Sequence, residues 1–97
     1  MNKLVFSKRA NTEILQSYLY YEEQQGGLGE RFVNEVIVKA EQVKLFPKRY
    51  SSNKLPFRET MIKGFPFLII YRYNSSTKYV FISSVFHSKR NPNKKYL

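Results

Sequence analysis

The chain has 97 residues, 42% of them hydrophobic, which is enough for one domain with a small core. It contains no cysteine, no signal-peptide pattern and no apolar run near the ~20 residues of a membrane span, so we expect a cytoplasmic protein without disulfides, sulfur-ligated zinc or a membrane segment. The net charge of +10 favours a phosphate backbone or an acidic protein segment as the partner.

The first half of the chain predicts one strand and two helices. Residues 3–6 (KLVF) are a short apolar strand candidate, and Ser7 offers a hydroxyl to cap the helix that follows. Apolar residues recur at helical spacing over residues 8–25 and again over residues 30–46. Glycines separate the two helices and Pro47 ends the second. Helices joined by so short a turn are expected to pack as an antiparallel hairpin.

The second half predicts a sheet. Residues 57–63 are a strand candidate, and residues 65–87 (FPFLIIYRYNSSTKYVFISSVFH) have the form of a β-hairpin. A period of two gives the first run two largely apolar faces, which is typical of a central strand: Phe67, Ile69, Tyr71 and Tyr73 on one side, Leu68, Ile70 and Arg72 on the other. The same period divides the second run into Tyr79, Phe81, Ser83, Val85 and His87, opposite Val80, Ile82, Ser84 and Phe86.

The predicted order is β-α-α-β-β-β. This is an α+β fold, in which a helical hairpin packs on one face of a mostly antiparallel four-stranded sheet. Residues 1–97 form this single domain, and residues 88–97 form a basic tail that we expect to be irregular and partly mobile. We expect the opposite sheet face, with the basic strand ends and the tail, to be left for function.

The charge is unevenly divided along the chain. Residues 1–46 carry six basic and six acidic side chains, a balance of zero, whereas residues 47–97 carry eleven basic side chains and one acid, Glu59, a balance of +10. Solubility alone does not require this one-sided placement, so we interpret the second half as a cationic binding surface. The candidates for binding a target or a nucleic acid are Arg58, Lys63, Arg72, Lys89, Lys94 and Lys95.

The residues that could carry chemistry are few. His87 is the only histidine, and histidine is the residue type used most often as a general acid or base near neutral pH, so it is the candidate for RNA cleavage by 2′-hydroxyl attack. Arg90, Arg72 or Arg58 would stabilise the phosphorane, and Tyr96 would stack on a base. Structural roles are the alternatives: His87 bonded to a neighbour at a strand end, and Arg72 solvated or paired with Glu59. No cofactor or metal is expected, because one histidine and seven scattered acids lack ligand spacing.

A family resemblance covers nearly the whole chain. The first part is a short strand, a tyrosine-rich helix leading into YYEEQQGGLGERF and a helix ending near Pro47; the second is Arg58, then FPF leading to IIYRY, then VFHSKRNP. Together they resemble the RelE/ParE superfamily, the toxins of type II toxin–antitoxin modules, once called plasmid stabilisation proteins. The resemblance implies a small α+β toxin neutralised by an antitoxin, which the charge of the chain predicts to be acidic.

The resemblance leaves two targets open. RelE-like members cleave messenger RNA in the ribosomal A site, and ParE-like members inhibit DNA gyrase. RelE-like nucleases usually carry an arginine directly before the apolar L-V-Y of the central strand and lysines in the strand before it. Here those segments read FLIIY and FRETMIK, and Arg72 follows the tyrosine, as in many ParE-like sequences.

We therefore predict a toxin that acts on gyrase. One alternative is a metal-independent endoribonuclease that cleaves messenger RNA on the ribosome, for which the resemblance implies His87, Arg90 and Tyr96 as the catalytic counterparts. The other is a non-toxic nucleic-acid-binding domain of the same fold.

Overall fold

The structure, a computed structural model, describes residues 1–97. Its strands are β1 (Lys3–Phe6), β2 (Arg58–Met61), β3 (Phe67–Asn74) and β4 (Tyr79–His87), and its helices are α1 (Lys8–Gln24) and α2 (Leu28–Leu45). The predicted order β-α-α-β-β-β is confirmed, although β2 is shorter than the predicted residues 57–63. None of the helices combines the length and apolar character that crossing a bilayer requires.

The four strands form one sheet in the order β1-β4-β3-β2. β3 is antiparallel to both of its neighbours, so it is central as predicted, while β1 lies parallel to β4 at one edge. The helical hairpin connects β1 at that edge to β2 at the other edge, and it therefore crosses one face of the sheet. After β1, Ser7 caps α1 as predicted, because its hydroxyl accepts the Ala10 N–H at 2.9 Å.

The hydrophobic core lies between the helices and this first face of the sheet. α2 buries one stripe at helical spacing, made of Phe32, Val36, Ala40 and Val43. β3 contributes the alternate residues that were predicted to share a face, Phe67, Ile69 and Tyr71. The helical set repeats with a period of 3.6 and the strand set with a period of two, so each set forms one continuous apolar face. These core residues can therefore be predicted from the sequence pattern.

β4 departs from strict alternation at Ser83. Ile70 pairs with Ser84 whereas Tyr71 pairs with Ile82, so Ser83 is an extra residue in a β-bulge, and its hydroxyl donates to the Ile70 carbonyl at 3.1 Å. The predicted division of the second run is therefore wrong across this point, because an inserted residue shifts the alternation by one. The residues of β4 on the helix-covered face are Val80, Ile82, Val85 and His87.

Two features hold the turn between α1 and α2: hydrogen bonds to the Glu22 carboxylate and a close contact between the two helices at Gly29. Glu22 near the end of α1 accepts the N–H groups of Gly27 and Gly29, and these bonds, Gly27 first, lower the pKa of its carboxyl group. At Gly29 an added Cβ would lie 2.5 Å from the Tyr18 carbonyl oxygen, so only glycine permits this approach of the helices.

The second face of the sheet, which we expected to be left for function, is partly covered by the tail. The tail contains one turn of 3₁₀-helix at Pro92–Lys94, and its last residues bind side chains of β2 and of α1. At β2, the Tyr96 hydroxyl donates to Glu59 at 2.9 Å, and its ring lies 5.0 Å from the Phe57 ring. At α1, Arg9 donates to the carbonyl oxygens of the tail. Sheet side chains beneath this path are fully buried: Ile70, Ser84 and Phe86.

Candidate functional site

The predicted site residues lie in two separate places. His87 and Arg90 lie at the end of β4 near α1, where His87 pairs with Phe67, whereas Arg72 pairs with Phe81 five residues further along β3. That separation is roughly 16 Å in an extended strand, and the two side chains point to opposite faces. His87 and Arg72 therefore do not share one site, because in an antiparallel hairpin the end of one strand lies beside the start of the other.

A cavity of about 330 Å³ opens between α1 and the end of β4. The His87 ring packs edge-to-face on Phe67, 5.0 Å between centroids, and its Nδ1 accepts the Lys89 N–H at 3.1 Å. The structural role foreseen for His87, a strand-end side chain bonded to a neighbour, is thus present, and Nε2 is left as its second polar atom. The cavity is lined by Glu13, Gln16, Ser17, Tyr20, Tyr21, Phe67, Val85, His87 and Arg90.

Glu13 of α1 organises one wall of this cavity. Its Oε1 accepts the Ser84 hydroxyl at 2.7 Å and the Val85 N–H at 3.1 Å. Its Oε2 accepts from Arg90 at 2.7 Å and from Arg9 at 3.3 Å. Val85 lies beyond the end of β1, so the carboxylate takes the place of a strand partner for its backbone. Arg90 is thereby held at the mouth of the cavity, with its side chain 43% exposed.

Sequence reasoning missed Glu13. The only signal in the sequence is its place beside the apolar stripe of α1, three residues after Ala10 and one before Ile14, where an acid needs a partner to be buried. Its partners in β4, Ser84 and Val85, are some 70 residues away in the chain, so no local pattern identifies them; only the pair with Arg9, one helical turn earlier, is local.

The second sheet face holds a different group of side chains. Glu59 accepts from Lys95 Nζ and from the Tyr96 hydroxyl, each at 2.9 Å, and from the Asn53 amide at 3.1 Å. Burial, followed by the bond to this carboxylate, raises the pKa of Tyr96 to about 12. Two of the predicted site residues, the binding candidate Lys95 and the catalytic candidate Tyr96, are therefore engaged within the fold, because the one acid of the cationic half attracts them.

The remaining basic candidates differ in whether their side chains bind other parts of the fold. Arg58 is half-buried and donates to the Tyr50 carbonyl at 2.7 Å. The side chains of Lys63, Lys89 and Lys94 are exposed and form no ion pair. Arg72 is exposed and not paired with Glu59; its guanidinium lies instead over two aromatic rings.

The residue directly before the apolar Ile-Ile-Tyr of the central strand is Leu68. It lies on the second face, and its cross-strand neighbours are Met61 and Phe86. This part of the second face is therefore apolar at the level of the central strand.

Both the sequence and the fold of the chain are similar to those of known proteins. A family model described as "ParE toxin of type II toxin-antitoxin system, parDE" matches residues 4–92. The chain superposes on a solved chain of the chromosomal ParDE system from P. aeruginosa with a TM-score of 0.80 at 15% identity, covering 92% of this chain and 98% of that one. The isolated E. coli RelE toxin gives a TM-score of 0.69 at 17% identity, covering 98% and 93%. No curated protein matches the sequence.

Proposed function

Since the chain belongs to the ParE toxin family of type II toxin–antitoxin systems, we propose that it arrests growth by binding and inhibiting DNA gyrase. Family membership implies an antitoxin as its partner. The antitoxin segment is expected to be acidic, since the chain it neutralises has a net charge of +10. Gyrase is favoured over messenger RNA on one structural observation.

That observation is the separation of Tyr96 from His87, two of the three residues that the resemblance implies for RNA cleavage. His87 lies on the helix-covered side, whereas the Tyr96 hydroxyl lies on the second face and already donates to Glu59. At the position where RelE-like nucleases carry an arginine, the chain has Leu68 among apolar neighbours. Acid, base and charge stabilisation must converge within hydrogen-bond reach of one phosphate, and Tyr96 does not converge with His87 and Arg90.

A second candidate function, messenger RNA cleavage, rests on the cavity beside α1. There His87 and Arg90 line the same space, and they are the acid–base group and the phosphate ligand that cleavage would require. Tyr96 would take no part in such a site.

Two assays distinguish these functions. The chain is expressed from an inducible promoter without its antitoxin, and the purified toxin is added to a gyrase supercoiling reaction and to a translation extract. The proposal predicts loss of supercoiling with intact messenger RNA. Messenger fragments with unaffected supercoiling would instead establish the ribonuclease.

The variants are His87→Gln and Arg90→Ala. For a gyrase inhibitor His87→Gln acts only through contacts and is mild, whereas for a nuclease it lowers cleavage by roughly 10²–10⁴-fold. Arg90→Ala is expected to weaken growth inhibition at a stability cost of about 1 kcal/mol or less, because the Arg90 side chain is 43% exposed and Glu13 keeps Arg9, Ser84 and Val85 as partners. Full toxicity of both variants would place the target-binding surface elsewhere.

A further inference from the structure

Arg72 is a cation that has no carboxylate partner. It lies on the second sheet face near the β3–β4 turn, is exposed, and makes no ion pair or side-chain hydrogen bond. The nearest acid in the chain sequence, Glu59, is already bound by Lys95, Tyr96 and Asn53, and residues 60–97 contain no other acid. The positive charge of Arg72 is therefore available to a ligand.

Aromatic rings hold this guanidinium in place. Its central carbon lies 5.0 Å from the centroid of Phe81 and 5.7 Å from that of Phe57, distances at which a cation is attracted by the ring face. Phe81 is the cross-strand partner of Arg72, so the sheet itself sets this arrangement. A planar guanidinium held in this way loses less freedom when it binds a phosphate bidentately.

Arg72 forms one wall of a groove of about 590 Å³, within the roughly 300–1,000 Å³ range of ligand sites. We call this the Arg72 groove; it is lined by Pro56, Arg72, Tyr73, Asn74, Ser75, Thr77, Tyr79 and Phe81. Tyr79 is 43% exposed, and Lys3 Nζ lies 5.9 Å from its ring centroid. An accessible ring thus lies in the same groove as Arg72 and beside Lys3, and neither cation has an acidic partner.

We propose that the Arg72 groove binds single-stranded nucleic acid, with a phosphate on Arg72 and a base stacked on Tyr79. Proteins that bind single strands combine a cationic groove with aromatic platforms, and both are present here on a sheet face. An acidic peptide would be bound by the cations but would have no use for the exposed ring. Duplex DNA would likewise meet the charges, but its paired bases would not reach the ring.

The test is fluorescence anisotropy of a labelled twelve-nucleotide oligothymidylate with the purified chain at low and moderate salt. Arg72→Gln and Tyr79→Leu are each expected to weaken binding by about tenfold, the effect of losing one base stack or one phosphate contact. Arg72→Lys keeps the charge and is expected to lose only part of the affinity, because it lacks the planar fork.

Arg31→Gln is the matched control. Arg31 is also exposed, lies over a single ring (Phe65, at 5.8 Å) and forms no ion pair, but it belongs to α2 on the other side of the molecule. It is expected to change the affinity less than twofold, and thermal unfolding of all four variants is expected to match the parent chain.

Four results would overturn the proposal. Equal losses in the Arg31 and Arg72 variants would show binding by net charge alone. Unchanged affinity in Tyr79→Leu, or equal affinity for a duplex of the same length, would show that no base is stacked. Tighter, Arg72-dependent binding of a polyglutamate peptide would assign the groove to an acidic protein segment.

Discussion

Replacing Glu13 tests how α1 is held to the edge of β4. In Glu13→Ala the Ser84 hydroxyl and the Val85 N–H, both on buried residues, lose their shared acceptor. An unpaired buried polar group costs about 1–3 kcal/mol, so with two such groups the expected loss of unfolding free energy is about 2–6 kcal/mol. That is a large fraction of the roughly 5–15 kcal/mol by which a domain of this size is stable.

Glu13→Gln separates the hydrogen bonds from the charge. Its amide oxygen can still accept from Ser84 and Val85, whereas the ion pairs with Arg9 and Arg90 are lost. Those arginine side chains are 24% and 43% exposed, so each pair is worth about 1 kcal/mol or less. The glutamine variant is therefore expected to lose clearly less stability than the alanine variant.

Urea unfolding followed by circular dichroism measures both losses. Glu23→Ala is the control, because Glu23 is exposed on the same helix and has no partner; its effect is expected to stay within about 0.5 kcal/mol. A loss below about 1 kcal/mol in Glu13→Ala would show that the carboxylate does not support the strand edge. Equal losses in the alanine and glutamine variants would show that the ion pairs, not the strand contacts, dominate.

Three further predictions concern the hairpin, the central strand and the tail. Gly29→Ala is expected to lower the free energy of unfolding by about 1–3 kcal/mol, because the added methyl overpacks the helix contact. Gly26→Ala is the control, since an added Cβ there meets nothing within 4 Å, and its melting temperature is expected to stay nearly unchanged. Equal shifts of the melting temperature in the two variants would contradict the close helix contact. Ile70→Ala is expected to cost about 2–5 kcal/mol in denaturant titration, and a cost below about 1 kcal/mol would mean that the tail does not bury it. The pKa of Tyr96 is about 12 in the folded chain and about 10 in the unfolded chain, so its contribution to stability is complete below pH 10 and disappears as the pH rises through about 12. The difference in urea midpoint between the parent chain and Tyr96→Phe should shrink over that range, and a constant difference would show that the Glu59 bond does not couple to titration.

The sequence alone was enough for the elements, the layer arrangement and the family. The stripe of α2 and the two apolar faces of β3 are repeated at the spacing of their own secondary structure, so each could be predicted from neighbouring residues. The cap at Ser7 and the end of α2 before Pro47 are equally local. The one-sided charge is a property of composition and needs no fold.

Tertiary structure decided where the functional candidates meet. The antiparallel register separated His87 from Arg72, and the bulge at Ser83 moved part of β4 to the other face; neither a register nor an inserted residue has a local sequence signal. The engagement of Tyr96 by Glu59 depends on contacts across 37 residues. Such contacts depend on the path of the whole chain in space, and they engage Lys95 and Tyr96 of the tail while Arg72 on the second face stays without an acidic partner.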